Sequence, residues 1–190
     1  MSRYAGNVRP ELVEELSEHV IDDKIEKTAS ESKIFVVSDI HLGWERSNVA
    51  AFVKFLDRLI DERPSYLVIC GDFLDLWRAE FDDITHNFEH VFVRIKRLGQ
   101  QGTKIRYVLG NHDYEVREHL AYFDSFPNLE IIGNSLVLDR TPLGACFFIH
   151  GHQFDWTLRH FVRFYPAIGR VVRSIYRLRR RLHFRRRAKA

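Results

Sequence analysis

Residues 33–43 read KIFVVSDIHLG: an apolar, β-branched run that breaks off at a cluster of acid, imidazole and glycine. The run Lys33–Ser38 suits a buried strand, because strands covered on both faces read as continuous apolar stretches. The cluster Asp39-Ile40-His41-Leu42-Gly43 follows where such a strand would end. Downstream the same arrangement recurs. Tyr66–Cys70 (YLVIC) ends in Gly71-Asp72, Ile105–Leu109 ends in Gly110-Asn111-His112-Asp113, and Cys146–Ile149 ends in His150-Gly151-His152. Between these runs, Ser47–Ile60, Phe88–Leu98 and Tyr114–Phe126 carry apolar residues at helical spacing. Leu129–Ile132 and Leu136–Asp139 read as further strands, separated by a Gly133-Asn134 turn, with Pro142–Gly144 as the next turn. Strands alternating with helices predict an α/β domain with a parallel core. In such sheets ligands collect beyond the carboxyl ends of the strands, so the four polar clusters are expected at one edge.

Upstream, Glu11–Lys27 is expected to be an amphipathic helix, with Leu12, Leu16, Val20 and Ile25 near one face and Pro10 in its first turn. Thr28–Ser32 reads as a polar linker. The expected organisation is an N-terminal helical extension and linker over 1–32, a catalytic body over 33–155 and a basic amphipathic helical tail over 156–190. The net charge of +3 conceals an asymmetry between these parts. Trp156–Ala190 holds 12 of the 29 Lys and Arg and no acid, so 17 basic residues face 26 acidic ones before it. In the tail, Phe161, Phe164, Ile168, Val171, Val172, Ile175 and Leu178 recur at helical spacing among arginines. One reading is a helix packed on the body with a solvated basic end. The other is a surface helix lying on anionic lipid, its long basic stems reaching to the headgroups. Nucleic acid ranks lower as a partner, because no stacking platform accompanies the arginines.

A chain of 190 residues suits one domain. Met1–Pro10 has no apolar core of a secretory signal, and no apolar run approaches the roughly 20 residues of a membrane span. Cys70 and Cys146 sit in apolar runs and are expected to be buried small hydrophobes rather than a disulfide. These features point to a cytoplasmic location, peripheral to the membrane if the tail binds lipid.

The clusters themselves carry the chemistry. In extended backbone Asp39 and His41 point to one side and could grip one cation. Asp39 could equally be a helix cap. Asp72 has two carboxylate oxygens, enough to bridge two ions, although Gly-Asp alone is also a plain strand-end turn. Asn111 offers an amide oxygen and His150 a neutral imidazole, both acceptable to divalent ions. Four such clusters at four strand ends are improbable as coincidence.

With these residues in place, the chain resembles the calcineurin-like metallophosphoesterases. Val37–Gly43, Gly71-Asp72-Phe73-Leu74-Asp75, Gly110-Asn111-His112-Asp113 and His150-Gly151-His152 are similar to that family's first four motifs. Asp75-Leu76-Trp77 and His152-Gln153-Phe154-Asp155 look nearest to the branch of UDP-2,3-diacylglucosamine hydrolases. The resemblance implies a layered α/β/β/α sandwich and a dinuclear site. Asp39 and His41 would hold one ion, Asn111 and His150 the other, and Asp72 would bridge them. His112 would act on the phosphoryl group or protonate the leaving oxygen, oriented by Asp113. The ions would be Mn²⁺, with Fe or Zn as alternatives, about 3.5–4 Å apart, activating a hydroxide for attack on phosphorus. The substrate would be a phosphoester or pyrophosphate, nucleotide-linked or lipid-linked. The family's fifth motif, Gly-His-x-His, has no counterpart here, which implies a fold shortened at its C-terminus. His152 is a further candidate ligand in its place. The competing expectation is a catalytically weak relative of these enzymes that docks through its arginine tail.

Overall fold

The computed structural model describes residues 21–155, 164–165 and 167–176. Its strands are β1 (Ile21–Lys27), β2 (Ile34–Val37), β3 (Tyr66–Cys70), β4 (Lys104–Val108), β5 (Leu129–Thr141) and β6 (Gly144–Ile149). Its helices are α1 (Val49–Glu62), α2 (Phe81–Asn87), α3 (Glu89–Gln100) and α4 (Leu120–Phe123). The strands form one sheet in the order β1-β5-β4-β3-β2, with β6 paired to β5. All neighbours on that path are parallel, and only β6 runs antiparallel. The α/β class and its parallel core are therefore as the sequence predicts.

Period-two alternation splits the core strands between two apolar clusters. Leu67, Ile69, Ile105 and Tyr107 face a cluster shared with Phe52, Leu56 and Leu59 of α1 and Val91, Phe92, Ile95 and Leu98 of α3. Tyr66, Val68 and Val108 face the opposite way, onto Ile132, Leu136 and Leu138 of β5 and Phe148 of β6. Burial of apolar side chains on both faces is what the continuous runs YLVIC and KIRYV require.

The second cluster reveals a sheet folded over on itself. β1 lies three strands from β3, about 14 Å in a flat sheet. Nevertheless the Tyr66 hydroxyl donates to Glu26 Oε1 at 2.8 Å, and Arg106 Nε on β4 donates to Glu26 Oε2 at 2.7 Å. Glu26 pairs with Leu138, far along β5 from the four residues that pair with β4. β5 must therefore turn a corner and bring its second half, with β1 and β6, back over β2–β4. The corner lies at Gly133-Asn134, where the β1–β5 register slips between Ile21/Ile132 and Asp23/Ser135. A bulge bends a strand in this way. A Cβ at position 133 would meet Arg117 Nη2 at 2.2 Å and Asp22 Oδ1 at 2.4 Å, so a side chain there would displace this ion pair.

Several expectations change. Of the helix expected over Glu11–Lys27, residues 11–20 lie outside the described residues, and Ile21–Lys27 is a strand belonging to the body. Its inward side chains are charged: Asp22 meets Arg117, Lys24 meets Glu130, and Glu26 meets Arg106 and Lys104. A charge-rich strand does not display the apolar alternation by which strands are read. The two strands expected on either side of Gly133 are one continuous strand with a corner. Tyr114–Phe126 divides into a 3-10 turn, Tyr114–His119, and the short α4, and α2 was not anticipated. Cys70 and Cys146 are free thiols and only partly buried, not fully buried as expected.

Candidate metal centre and catalytic dyad

Every strand-end cluster reaches one edge of the first β layer. Beyond β2 and β3 the chain continues the parallel ladder irregularly: Asp39 N donates to Gly71 O, His41 N to Asp72 O and Leu42 N to Phe73 O. β6 runs back along the second layer and delivers His150 to the same edge.

Four donor atoms there form a closed ring. His41 Nε2 lies 3.9 Å from Asp39 Oδ1 and 3.6 Å from Asp72 Oδ2. His150 Nε2 lies 3.7 Å from the same Asp39 oxygen and 3.8 Å from the same Asp72 oxygen. Ligand bonds of about 2.0–2.2 Å set two ligands of one ion about 3.0–3.5 Å apart, so slight contraction closes this ring on a cation. The donor set of two carboxylates and two imidazoles suits a divalent metal. Backbone conformation supports the fit. Asp39, His41 and Asp72 all have positive φ, at 56°, 51° and 53°. They are not in the extended conformation expected for Asp39 and His41. Each left-handed residue costs roughly 1–2 kcal/mol, and such strain collects at functional sites.

Close packing holds the ring in shape. Asp72 is buried, and its Oδ1 accepts from His112 N at 3.0 Å. A Cβ on Gly110 would meet Asp72 Oδ1 at 2.2 Å, and one on Gly71 would meet the His150 ring at 2.3 Å. Asn111, buried at 7% exposure, follows Gly110 in the loop wrapped round Asp72. His152 reaches back to its neighbour: its Nδ1 lies 2.8 Å from His150 Nδ1. This contact engages the Nδ1 of His152, the further candidate ligand, with His150. Burial and the neighbouring His150 lower the His152 imidazole to about 4.

Asp75 is the residue that sequence reading left without a role. It is fully buried, and its carboxylate spans two imidazoles. Oδ1 lies 3.1 Å from His112 Nδ1, and Oδ2 lies 3.3 Å from His41 Nδ1, where Arg78 Nη1 also donates. Burial works to raise the Asp75 carboxyl, but His112, His41 and Arg78 outweigh it and hold it far below the usual carboxylate range. The same contact, with Asp72 and Asp39 adding to it, raises His41 above its ordinary value. His41, Asp75 and His112 also lie close enough together to hold an ion. Arg78 and His112 hydrogen-bond Asp75, while His41 Nδ1 lies near it without an aligned hydrogen bond.

The carboxylate in contact with His112 is Asp75, not Asp113, which was expected to orient it. Asp113 is fully buried and accepts from Tyr107 Oη at 2.5 Å, Gly110 N at 2.6 Å and Phe73 N at 2.7 Å. It ties the loop after β4 to the loop after β3. Burial and the nearby Asp72 push it up to about 6. Asp75 stands three residues after Asp72 inside the second motif, and that position was the available signal. Its distance from His112 in sequence concealed the contact.

Aromatic rings wall the site. Trp77 stacks on His112 at 4.1 Å between centroids, and Trp44 meets His41 edge-on at 6.0 Å with Arg78 over its face. Behind Trp77 stands Tyr165, fully buried, which also approaches Tyr114 and His152. Tyr165 precedes a helix over 167–176 whose docked face is Gly169 and Arg173. Arg173 is 6% exposed; it donates to Leu76 O and to Glu115 Oε2, the latter at 3.0 Å. The apolar stripe read from the tail is split: Ile168 and Val172 are half-buried beside the docked face. Phe164, Val171 and Ile175 are exposed at 42%, 60% and 61%. Phe161 and Leu178 lie outside the described residues.

Comparison with known proteins finds similarity to a group of hydrolases. UDP-2,3-diacylglucosamine hydrolase of Azotobacter vinelandii is 31% identical over 83 residues, covering 43% of this chain and 33% of that protein. The same enzyme of Pseudomonas putida is 34% identical over 84 residues, with 43% and 33% covered. That of Histophilus somni is 31% identical over 90 residues, with 47% and 38% covered. The chain thus spans about a third of the length of these curated relatives. A solved nuclease MPE of Pseudomonas putida aligns with 52% of this chain and 46% of its own, at 24% identity and a TM-score of 0.35. The sequence pattern described as calcineurin-like phosphoesterase matches residues 32–182. With four of its motifs converging at one sheet edge, the chain belongs to the calcineurin-like phosphoesterase family.

Proposed function

We propose that the protein is a metal-dependent hydrolase of phosphoester or pyrophosphate bonds. The observation that carries this reading is the ring of Asp39, His41, Asp72 and His150 donor atoms, 3.6–3.9 Å apart. Those four residues and Asn111 would hold two divalent ions, with Asp72 shared; Mn²⁺ fits the mixed oxygen and nitrogen donors. When bound, the ions supply positive charge to the phosphoryl oxygens and activate a water. The protein's own groups do the rest. Asp75 fixes His112 through Nδ1, which leaves Nε2 to hydrogen-bond a phosphoryl oxygen or give a proton to the leaving group. Trp77 holds the His112 ring plane. Buried Asp113 keeps the two ligand-bearing loops in register.

The names of the relatives favour a pyrophosphate joining a nucleotide to a lipid. The exposed Phe164, Val171 and Ile175 beside the site, followed by an arginine-rich sequence, suit peripheral contact with an anionic membrane. Hydrolysis of bis(p-nitrophenyl) phosphate with added Mn²⁺ tests the reaction. Activity abolished by chelation and by Asp72→Ala is expected; a metal-independent rate, or one surviving that substitution, would overturn it. Salt-sensitive sedimentation with anionic vesicles tests the membrane contact, and its absence would remove that part alone.

A further inference from the structure

We propose that His152 is a positioning residue for His150, accepting its Nδ1 proton and so fixing the tautomer that turns a lone pair toward Asp39 and Asp72. The inference rests on the metal-site reading above and adds a role for a side chain that does not itself bind the ion. Its basis is the 2.8 Å separation between the two Nδ1 atoms. At that distance one imidazole nitrogen must donate and the other accept. His150 Nε2 is the nitrogen that faces Asp39 Oδ1 and Asp72 Oδ2. To ligate a cation it must be unprotonated, so the proton of neutral His150 sits on Nδ1 and points at His152. His152 then accepts through Nδ1 and carries its own proton on Nε2.

The fold prepares this contact. Gly71 leaves room for the His150 ring, which a Cβ there would meet at 2.3 Å. His152 sits in the 3-10 turn Gly151–Phe154, where Asp155 N bonds back to His152 O at 3.1 Å, and Tyr165 meets its ring edge-on at 6.2 Å. A metal-binding imidazole ordinarily donates its second N–H to a carboxylate or carbonyl. Here a second imidazole takes that place, and it adds no negative charge to a site already holding Asp39, Asp72 and Asp75.

Two measurements test the proposal on the whole chain. The first is ¹⁵N–¹H correlation of histidine-labelled wild-type protein titrated with Zn²⁺. The expected result is a zinc-bound Nε2 and protonated Nδ1 on His150, and a metal-free, Nε2-protonated His152. A zinc shift on either nitrogen of His152 would overturn the proposal. The second is Mn²⁺ affinity by calorimetry. His152→Leu should bind about 10–100-fold more weakly, whereas His152→Asn, whose amide oxygen can replace Nδ1 as acceptor, should stay close to wild type. A Leu variant that binds like wild type, or an Asn variant as weak as the Leu variant, would overturn it. If the Leu variant fails to fold, the wild-type spectra decide. A wild-type chain that binds neither metal would sink the metal-site reading and this inference together. A metal-binding wild type with an indifferent Leu variant would sink the inference alone.

Discussion

Gly71 carries a positive φ of 81° and lies against the His150 ring, so its lack of a side chain serves both backbone and packing. Gly71→Ala should cost at least about 1 kcal/mol from the backbone alone, read by urea unfolding, and should weaken Mn²⁺ binding by displacing His150. Stability unchanged by the substitution would contradict the packing. His112 and Asp75 separate two functions. On the proposed roles, in which this ring donates a proton and does not ligate, His112→Gln should lower kcat by about 10²–10⁴-fold with Mn²⁺ affinity kept. Asp75→Asn should impair both turnover and metal affinity, since the carboxylate holds His112 and the ligand His41 alike. Calorimetry beside steady-state kinetics distinguishes the two patterns. Asp39, His41, Asp72, Asn111 and His150 could be named from sequence because each follows a recognisable strand. Asp75 and Asp113 could not be assigned correctly, because both are carboxylates near a motif and only their contacts divide them.

Elements show the same division between local pattern and distant contact. α1 and α3 were readable because their buried residues repeat at helical spacing. β1 was not, because its inward residues Asp22, Lys24 and Glu26 are stabilised by Arg117, Glu130 and Arg106, which lie 80 to 106 positions away. The helix over 167–176 docks through Gly169 and Arg173, with Ile168 and Val172 half-buried beside them, while Val171 and Ile175 of its apolar stripe stay exposed. Arg173 is buried and bonded to Glu115, and burial raises the Glu115 carboxyl while Arg173 opposes that rise. Removing one partner of a buried ion pair strands the other. Arg173→Ala should therefore destabilise the protein by about 3–5 kcal/mol, measured by denaturant midpoint. A change below about 1 kcal/mol, the ordinary value of an exposed pair, would mean that the helix does not dock this way.

Across the molecule, Glu26 is the joint between the two β layers. Burial would raise its carboxyl, but bonds from Arg106, Lys104 and Tyr66 outweigh that and take it down to about 2, from an ordinary value of 4.5. A depressed carboxyl stabilises the fold fully above its unfolded value and loses that contribution as pH falls through the folded one. Wild type should therefore be more stable than Glu26→Gln at neutral pH. The two unfolding curves should converge between about pH 4.5 and pH 2. A constant difference down to pH 2 would refute the assignment. The polypeptide's own order of residues was enough to establish the parallel α/β core and to name the candidate ligands at its edge, because apolar periodicity and strand-end motifs are local properties. The folding of β5 over the core, the recruitment of β1, the contact of His112 with Asp75 rather than Asp113 and the face on which the helix over 167–176 docks depended on three-dimensional packing. Each is fixed by hydrogen bonds, ion pairs or ring contacts between residues remote along the chain or indistinguishable within a motif, and no local pattern encodes which of these partners will meet.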